Sequence, residues 1–320
     1  MENSAGKIAV LLMAYGTPNT LDEIEPYHTD IRGGRKPSPE NLRELIARYQ
    51  RIGGRTQLLD ITRAQARALQ AQLGDEFRVY IGMKHWHPYI AQAVDEIVRD
   101  GLRRVIALVL APHYSRFSID GYFQRVRAAM EQAGAALDVT HIESWNAHPL
   151  FLQSVAERML AGRAKFGVAS WDDLEVIFSA HSLPERILQS NDPYPQELRE
   201  TCEGVAPLIG LKKWRLAYQS AGRTGEKWLS PEILSTLDEI ARAGKRRVLI
   251  APIGFVADHL EILYDLDVEC AQRAKTLGLA MHRIESPNAS PAFITALTSI
   301  VREHLERESI TAQSLRAQKR

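Results

Sequence analysis

Within the run GFVADHLEILYDLDVEC, residues 254–270, the carboxylates Asp258, Glu261, Asp265 and Glu269 recur at steps of three, four and four. On a helix those spacings stack all four on roughly one face, where each i,i+4 pair of like charges costs about 0.2–0.5 kcal/mol. Solvent, a basic neighbour or a metal cation must offset that cost. A histidine, His181, lies far away in IFSAHSLPER, after an apolar run and among the small residues Ser179, Ala180 and Ser182. Neutral imidazole with carboxylate is a sensible ligand set for a divalent first-row metal, and the same groups can move protons. Blander readings compete. His181 fits a hydrogen-bonded cleft residue or a helix cap, Asp258 with Glu261 fits a capping box, and Asp265 and Glu269 fit a wet face.

The elements that must position these groups are visible as a rhythm. Short apolar runs recur: IAVLLMAYGTP, VYIGMKH, VIALVLAPHYS, VTHIESW, EVIFSAHSLP, RLAYQS, RVLIAPIG and MHRIES. Amphipathic stretches such as LDITRAQARALQAQL and PEILSTLDEIARAG separate them. This alternation predicts an α/β fold of parallel sheets flanked by helices, and near-continuous runs such as VIALVL predict strands covered on both faces. The chain also repeats itself. GLRRVIALVLAPHYS is similar to GKRRVLIAPIGFVADH, and HIESWNAHPLF to HRIESPNASPAF, in the same order. Two similar Rossmann-like domains follow, 1–168 and 169–320, with the division inside RAKFGVASWDD and a cleft between them that collects the residues after strand ends. From Pro291 a helix is followed by a polar tail, AQSLRAQKR, which either frays or packs back across the first half.

The totals set limits. With 45% hydrophobic and 25% charged residues and a formal charge of +1, the chain is an ordinary globular protein rather than a nucleic-acid-coating one. Two cysteines, Cys202 and Cys270, are too few for a disulfide framework or a four-cysteine cluster and point to a reducing compartment. Residues 1–16 do not read as a signal peptide, and no segment approaches the roughly 20 apolar residues of a membrane span. GGRKP and IGGRTQ lack the order of a dinucleotide or phosphate loop. Their surroundings nonetheless offer Arg32, Arg35, Lys36, Arg48, Arg51 and Arg55, which suit carboxylates of a small acidic substrate or an ordinary solvated face. A non-catalytic flavin- or corrin-binding module is the alternative outside enzymes.

IFSAHSLPERI and GFVADHLEILYD closely resemble the histidine and acidic motifs of ferrochelatases. LLMAYGTP, DIRGGRKP, YIGMKHWHP, VLAPHYSRFS and YQSAGRTGEKWLSP extend the likeness over about residues 8–305. The resemblance implies the two-domain chelatase-type fold and insertion of ferrous iron, a substrate, into a porphyrin with release of two protons. It implies that His181 and Glu261 face each other over the macrocycle and share proton abstraction and metal delivery. Tyr15 falls on the opposite side, able to ligate the product iron. Asp265 and Glu269 match an outer ladder for a hydrated divalent cation such as Mg2+. Arg32, Arg35 and Tyr122 match propionate or cleft-edge positions, Lys84 and His85 an entrance pair, and His87 a local structural histidine. Gly33 and Thr56 depart from soluble bacterial relatives, which carry Arg at the first and Pro beside a Ser at the second.

A start almost at the first strand, no hydrophobic lip, no cysteine-rich extension and Tyr15 together resemble the coproporphyrin III branch. That branch implies a monomeric cytoplasmic enzyme without organic cofactor, iron–sulfur cluster, nucleic acid or integral membrane association, exchanging its ligands by transient contact with neighbouring haem-pathway enzymes. Protoporphyrin IX ferrochelatase, an anaerobic cobaltochelatase and a tetrapyrrole-binding protein are the alternatives.

Overall fold

The eight apolar runs form eight strands. The structure, a computed structural model, describes residues 6–222 and 225–317. β1 (Ile8–Ala14), β2 (Phe77–Met83), β3 (Arg104–Val109) and β4 (Asp138–Ile142) make one sheet in the order β2-β1-β3-β4. β5 (Glu175–His181), β6 (Arg215–Gln219), β7 (Arg247–Ala251) and β8 (Ala280–Arg283) make a second in the order β6-β5-β7-β8. All pairings are parallel, and the two orders are the same once the second set is renumbered from its own first strand. The sequence repeat is therefore a repeat of topology. The leader MENSA, the pair Arg223 and Thr224, and the last three residues of the AQSLRAQKR tail lie outside the described residues.

The helices are α1 (Ile24–Ile31), α2 (Pro39–Arg51), α3 (Leu58–Leu73), α4 (Ile90–Arg99), α5 (Asp120–Gln132), α6 (Pro149–Ala164), α7 (Tyr194–Leu208), α8 (Ile233–Arg242), α9 (Leu260–Leu263), α10 (Ala271–Thr276) and α11 (Pro291–Ala317). Burial on both faces explains the unbroken apolar strands. Along β1, Ala9, Leu11 and Met13 face a core built with α4 and α5, whereas Val10 and Leu12 face the other way into a larger core. That larger core is shared: it also takes Phe178 from β5, Leu249 from β7, and Phe293 and Leu297 from α11. Two sheets thus bury one face each against common helices.

The first turns of α11 pack across the first half, whereas the side chains of AQSLRAQKR lie outside the described residues. α11 lies on α3 and α6: Arg302 donates to the Leu73 carbonyl at 3.2 Å, Thr298 donates to Gln72 at 2.9 Å, and His148 meets Glu303 at 2.9 Å. α6 in turn presses Gly162 onto the second sheet, where a Cβ would sit 2.9 Å from Leu249 and 3.0 Å from Ile284. A larger residue there must displace the methyl ends of these side chains or lift the helix. Gly162→Leu is expected to cost about 1–3 kcal/mol through overpacking, read as a lower urea midpoint, and an unchanged midpoint would remove this contact as a tie between the halves.

Candidate active site

The carboxyl ends of β1, β5 and β7 open onto a cavity of about 300 Å³, lined by Tyr15, Lys84, Phe117 and Tyr122 from the first half and by His181, Leu183, His259 and Glu261 from the second. Strand alternation places His181 on the face of Ile177 and Ser179, away from the shared core that takes Phe178 and Ala180. The acidic segment comes to meet it because Gly254 follows β7. A Cβ on Gly254 would lie 2.9 Å from the Ala180 Cα, so only glycine allows so close an approach beside His181. Gln219 completes the seat, accepting from Ser179 at 2.9 Å and donating to the Glu261 carbonyl at 2.7 Å.

His181 Nδ1 stands 3.1 Å from Glu261 Oε2, and His259 Nε2 stands 3.7 Å from the same oxygen. The His181 approach is oblique to its ring N–H direction, so Nδ1 keeps no aligned hydrogen bond. His259 Nδ1 donates to the Ala257 carbonyl at 2.9 Å, which leaves a proton on Nε2 toward Glu261 only in the imidazolium form. Burial disfavours every charge here, and the attraction between carboxylate and imidazole works against it. Burial opposes the Glu261 carboxylate, but His181 and His259 outweigh it and hold the carboxyl well below its usual range. It likewise opposes both imidazoliums, and Glu261 raises both above the ordinary histidine value. Asp265 goes the other way: burial and the charges of Glu261 and Glu269 push it up to about 7, against the pull of Ser220 and Arg48.

The single acidic face predicted from spacing is not what forms. Asp258 precedes the helix, α9 is short, and Asp265–Cys270 is π-helical, with Glu269 N bonding the Tyr264 carbonyl at 2.9 Å. A π segment turns less per residue than an α-helix, so the register of acids drifts. Three of the acids then find separate partners. Asp258 accepts from Ser286 at 2.8 Å and Asn288 at 2.9 Å, Glu261 faces the histidines, and Asp265 accepts from Ser220. The capping-box reading fails as well, since His259 occupies the N-cap position without a side-chain cap bond.

The remaining expected residues divide. Tyr15 lines the cavity, 41% exposed, and the surrounding walls and then Glu261 push its phenol up, so it is protonated at neutral pH. Lys84 lines it too, donating to the Ser118 carbonyl at 3.0 Å with its ammonium 4.8 Å from the Tyr122 ring centroid, and burial lowers it to about 8. Tyr122 is buried in the wall. His85 is not at an open entrance: it is buried behind Tyr15, ring centroids 4.6 Å apart, and Asp30 fixes it at 2.6 Å. Burial brings it down to about 4, so it is neutral. Arg32 and Arg35 sit in an exposed turn outside the cavity lining, with Arg35 donating to the Arg32 carbonyl at 3.3 Å. Arg48 meets Asp265 at 3.9 Å rather than facing outward, and Thr56 is buried against Thr17 at 2.8 Å. His87 is exposed and bonds Gln92 locally at 3.1 Å.

Acid spacing alone passed over His259, although it lies within the same run, two residues before Glu261. Ser220 was passed over too; its positive φ of 61° marks a strained turn after β6 aimed at Asp265, which no pattern of types reveals. Among the described residues, no group of three or more His, Cys, Asp or Glu is placed to hold a metal ion by itself.

Two Rossmann-like halves facing one cleft make a chelatase-type fold. Consistent with that, the crystal structure of sirohydrochlorin chelatase SirB from Bacillus subtilis subspecies spizizenii in complex with cobalt is similar in fold, with a TM-score of 0.61 at 12% identity over 94% of this chain and 96% of that one. The ferrochelatase family model matches residues 7–305. A ferrochelatase of Herpetosiphon aurantiacus is 48% identical over 93% of this chain and 99% of the relative. A coproporphyrin III ferrochelatase of Geobacillus thermodenitrificans is 42% identical over 94% and 97%. The chain belongs to the ferrochelatase family, whose members insert metal.

His113 is part of the cavity wall. It is buried, Nε2 meets Thr201 at 2.9 Å, and burial lowers its pKa to about 3. Its folded pKa lies below the unfolded value of about 6.5, so the unfolded chain binds the extra proton between those values and stability falls as pH falls through that window. His181 and His259 act in the opposite sense. The difference between wild type and His113→Gln isolates the effect: wild type should lose up to about 1.4 kcal/mol per pH unit more than the variant between pH 6.5 and 5, measured by urea unfolding. Parallel pH profiles would contradict a neutral buried His113.

Proposed function

We propose that this protein inserts ferrous iron into coproporphyrin III, forming coprohaem and releasing two protons. The observation that carries the reading is Glu261, kept ionised between His181 and His259 in a cavity that Tyr15 lines from the other half. A macrocycle in this space presents its nitrogens to that cluster. His181 Nδ1, without an aligned bond, and the Glu261 carboxylate suit delivery of a divalent iron substrate. Iron replaces two pyrrole protons, so the ring gains two positive charges and loses two.

Glu261, and His181 in its neutral form, are the proposed first acceptors, and Asp265 is the next station. Its pKa of about 7 lets it take a proton and give it up again near neutral pH. Asp265 and Glu269 also form the proposed outer station for a hydrated cation such as Mg2+, an ion held through its waters rather than by a protein cage. No organic cofactor or iron–sulfur cluster enters the scheme. Lys84, positive in the cavity wall, suits a substrate carboxylate, and the Geobacillus relative bears the name coproporphyrin III ferrochelatase. The buried thiols Cys202 and Cys270 fit a reducing compartment, and no helix among the described residues is long and apolar enough to cross a membrane. We read the protein as a cytoplasmic monomer that hands porphyrin over by transient contact.

A second substrate, protoporphyrin IX, is favoured by one observation: Arg32 and Arg35 stand outside the cavity lining, which leaves fewer cations for the extra carboxylates. Anaerobic turnover of the two porphyrins with ferrous iron, followed by absorption, separates them. We expect kcat/KM for coproporphyrin III to exceed that for protoporphyrin IX by about tenfold or more, a difference of roughly 1.4 kcal/mol in transition-state binding. Equal or reversed preference contradicts the substrate, and no product from either contradicts metal insertion.

A further inference from the structure

Between β7 and the π-helical segment, His259 and Glu261 ride on a stretch with little regular structure, only the four residues of α9. Something must hold it, since a reactive cluster a fraction of an ångström out of place loses much of its rate. The residue placed to do so is Arg283, at the end of β8, with its side chain only 15% exposed. Arg283 Nε donates to Asp267 Oδ1 at 2.7 Å and Nη2 to Asp267 Oδ2 at 2.8 Å, a two-pronged grip on the π segment. The same Nη2 lies 3.2 Å from Asp258 Oδ1, and Nη1 donates to the Ile284 carbonyl at 3.2 Å.

One guanidinium therefore binds both flanks of the reactive stretch: Asp258, immediately before His259, and Asp267, beyond Glu261. Its own backbone is fixed, because Arg283 pairs with Ile250 of β7 in the sheet. Ser286 and Asn288, just after β8, bind the same Asp258 carboxylate, and Asn288 Oδ1 accepts from the Asp258 backbone N–H at 3.0 Å. None of these groups lines the cavity. We infer that Arg283 is a positioning residue for the iron-insertion step, bracketing the segment through Asp258 and Asp267 so that Glu261 meets His181 and His259.

The inference rests on the metal-insertion reading, and the test keeps the two apart. Iron insertion is measured for wild type, Arg283→Met, Arg283→Lys and Asp267→Ala, with circular dichroism to establish folding. Asp267 is on the more exposed side of the bracket, so its variant keeps the test open if Arg283→Met fails to fold. Loosened support for a metal-handling cluster typically costs about 10–100-fold, and we expect that loss in kcat for Arg283→Met and Asp267→Ala, with KM for porphyrin within about twofold of wild type. Arg283→Lys should recover part of the rate, since it keeps the charge but not the fork. Folded variants with kcat within about twofold of wild type, or a loss confined to KM, would overturn the inference. A wild-type protein that inserts no iron would instead overturn the reading beneath it.

Discussion

A carboxylate that must stay charged inside a cleft is the constraint on which the rest of this structure depends. Burial alone would drive Glu261 to take a proton, and only the two imidazoles beside it reverse that. Those imidazoles come from different places, His181 from the end of β5 and His259 from the segment after β7. The second sheet must therefore bring two adjacent strand ends together. Gly254 permits it by letting the turn after β7 approach the backbone of Ala180. Asp265 stands next along the same segment, its carboxyl pushed up to about 7, with Arg48 of the first half at 3.9 Å.

The two halves are alike in topology and unlike in chemistry. The second sheet carries the ionic cluster, whereas the first contributes walls: Tyr15 backed by His85, and Lys84 pinned over Tyr122. The shared core, with α6 and α11 between the sheets, turns these into two sides of one site. A duplicated fold gives two crevices at strand ends, and the functional asymmetry comes from the loops after them.

Much of the scaffold was legible in the residues. Strands buried on both faces leave near-continuous apolar runs, so all eight could be read, and a duplicated chain leaves its order twice. What escaped were contacts between positions far apart in sequence. Acid spacing carried no sign that Asp265–Cys270 would wind as a π segment, whose carboxylates at 265 and 267 meet Ser220 and Arg283, neither of them local. His85 was read as an entrance residue for the same reason: its ring is fixed by Asp30, 55 positions away. The pairing of His181 with Glu261 came from family likeness, and the geometry brings them to 3.1 Å. The arginines at 32 and 35 show the limit of such transfer, since residues in an exposed glycine-flanked turn need not face the cavity.

The account stands on His181 and Glu261 working as one unit. Single-turnover iron insertion by wild type, His181→Ala, Glu261→Gln and the double variant tests this directly. Each single substitution should slow insertion by about 100-fold or more, and the double should be no slower than the slower single, because removing either member already dismantles the cluster. A single variant that inserts iron at nearly the wild-type rate, or two losses that multiply in the double, would contradict it.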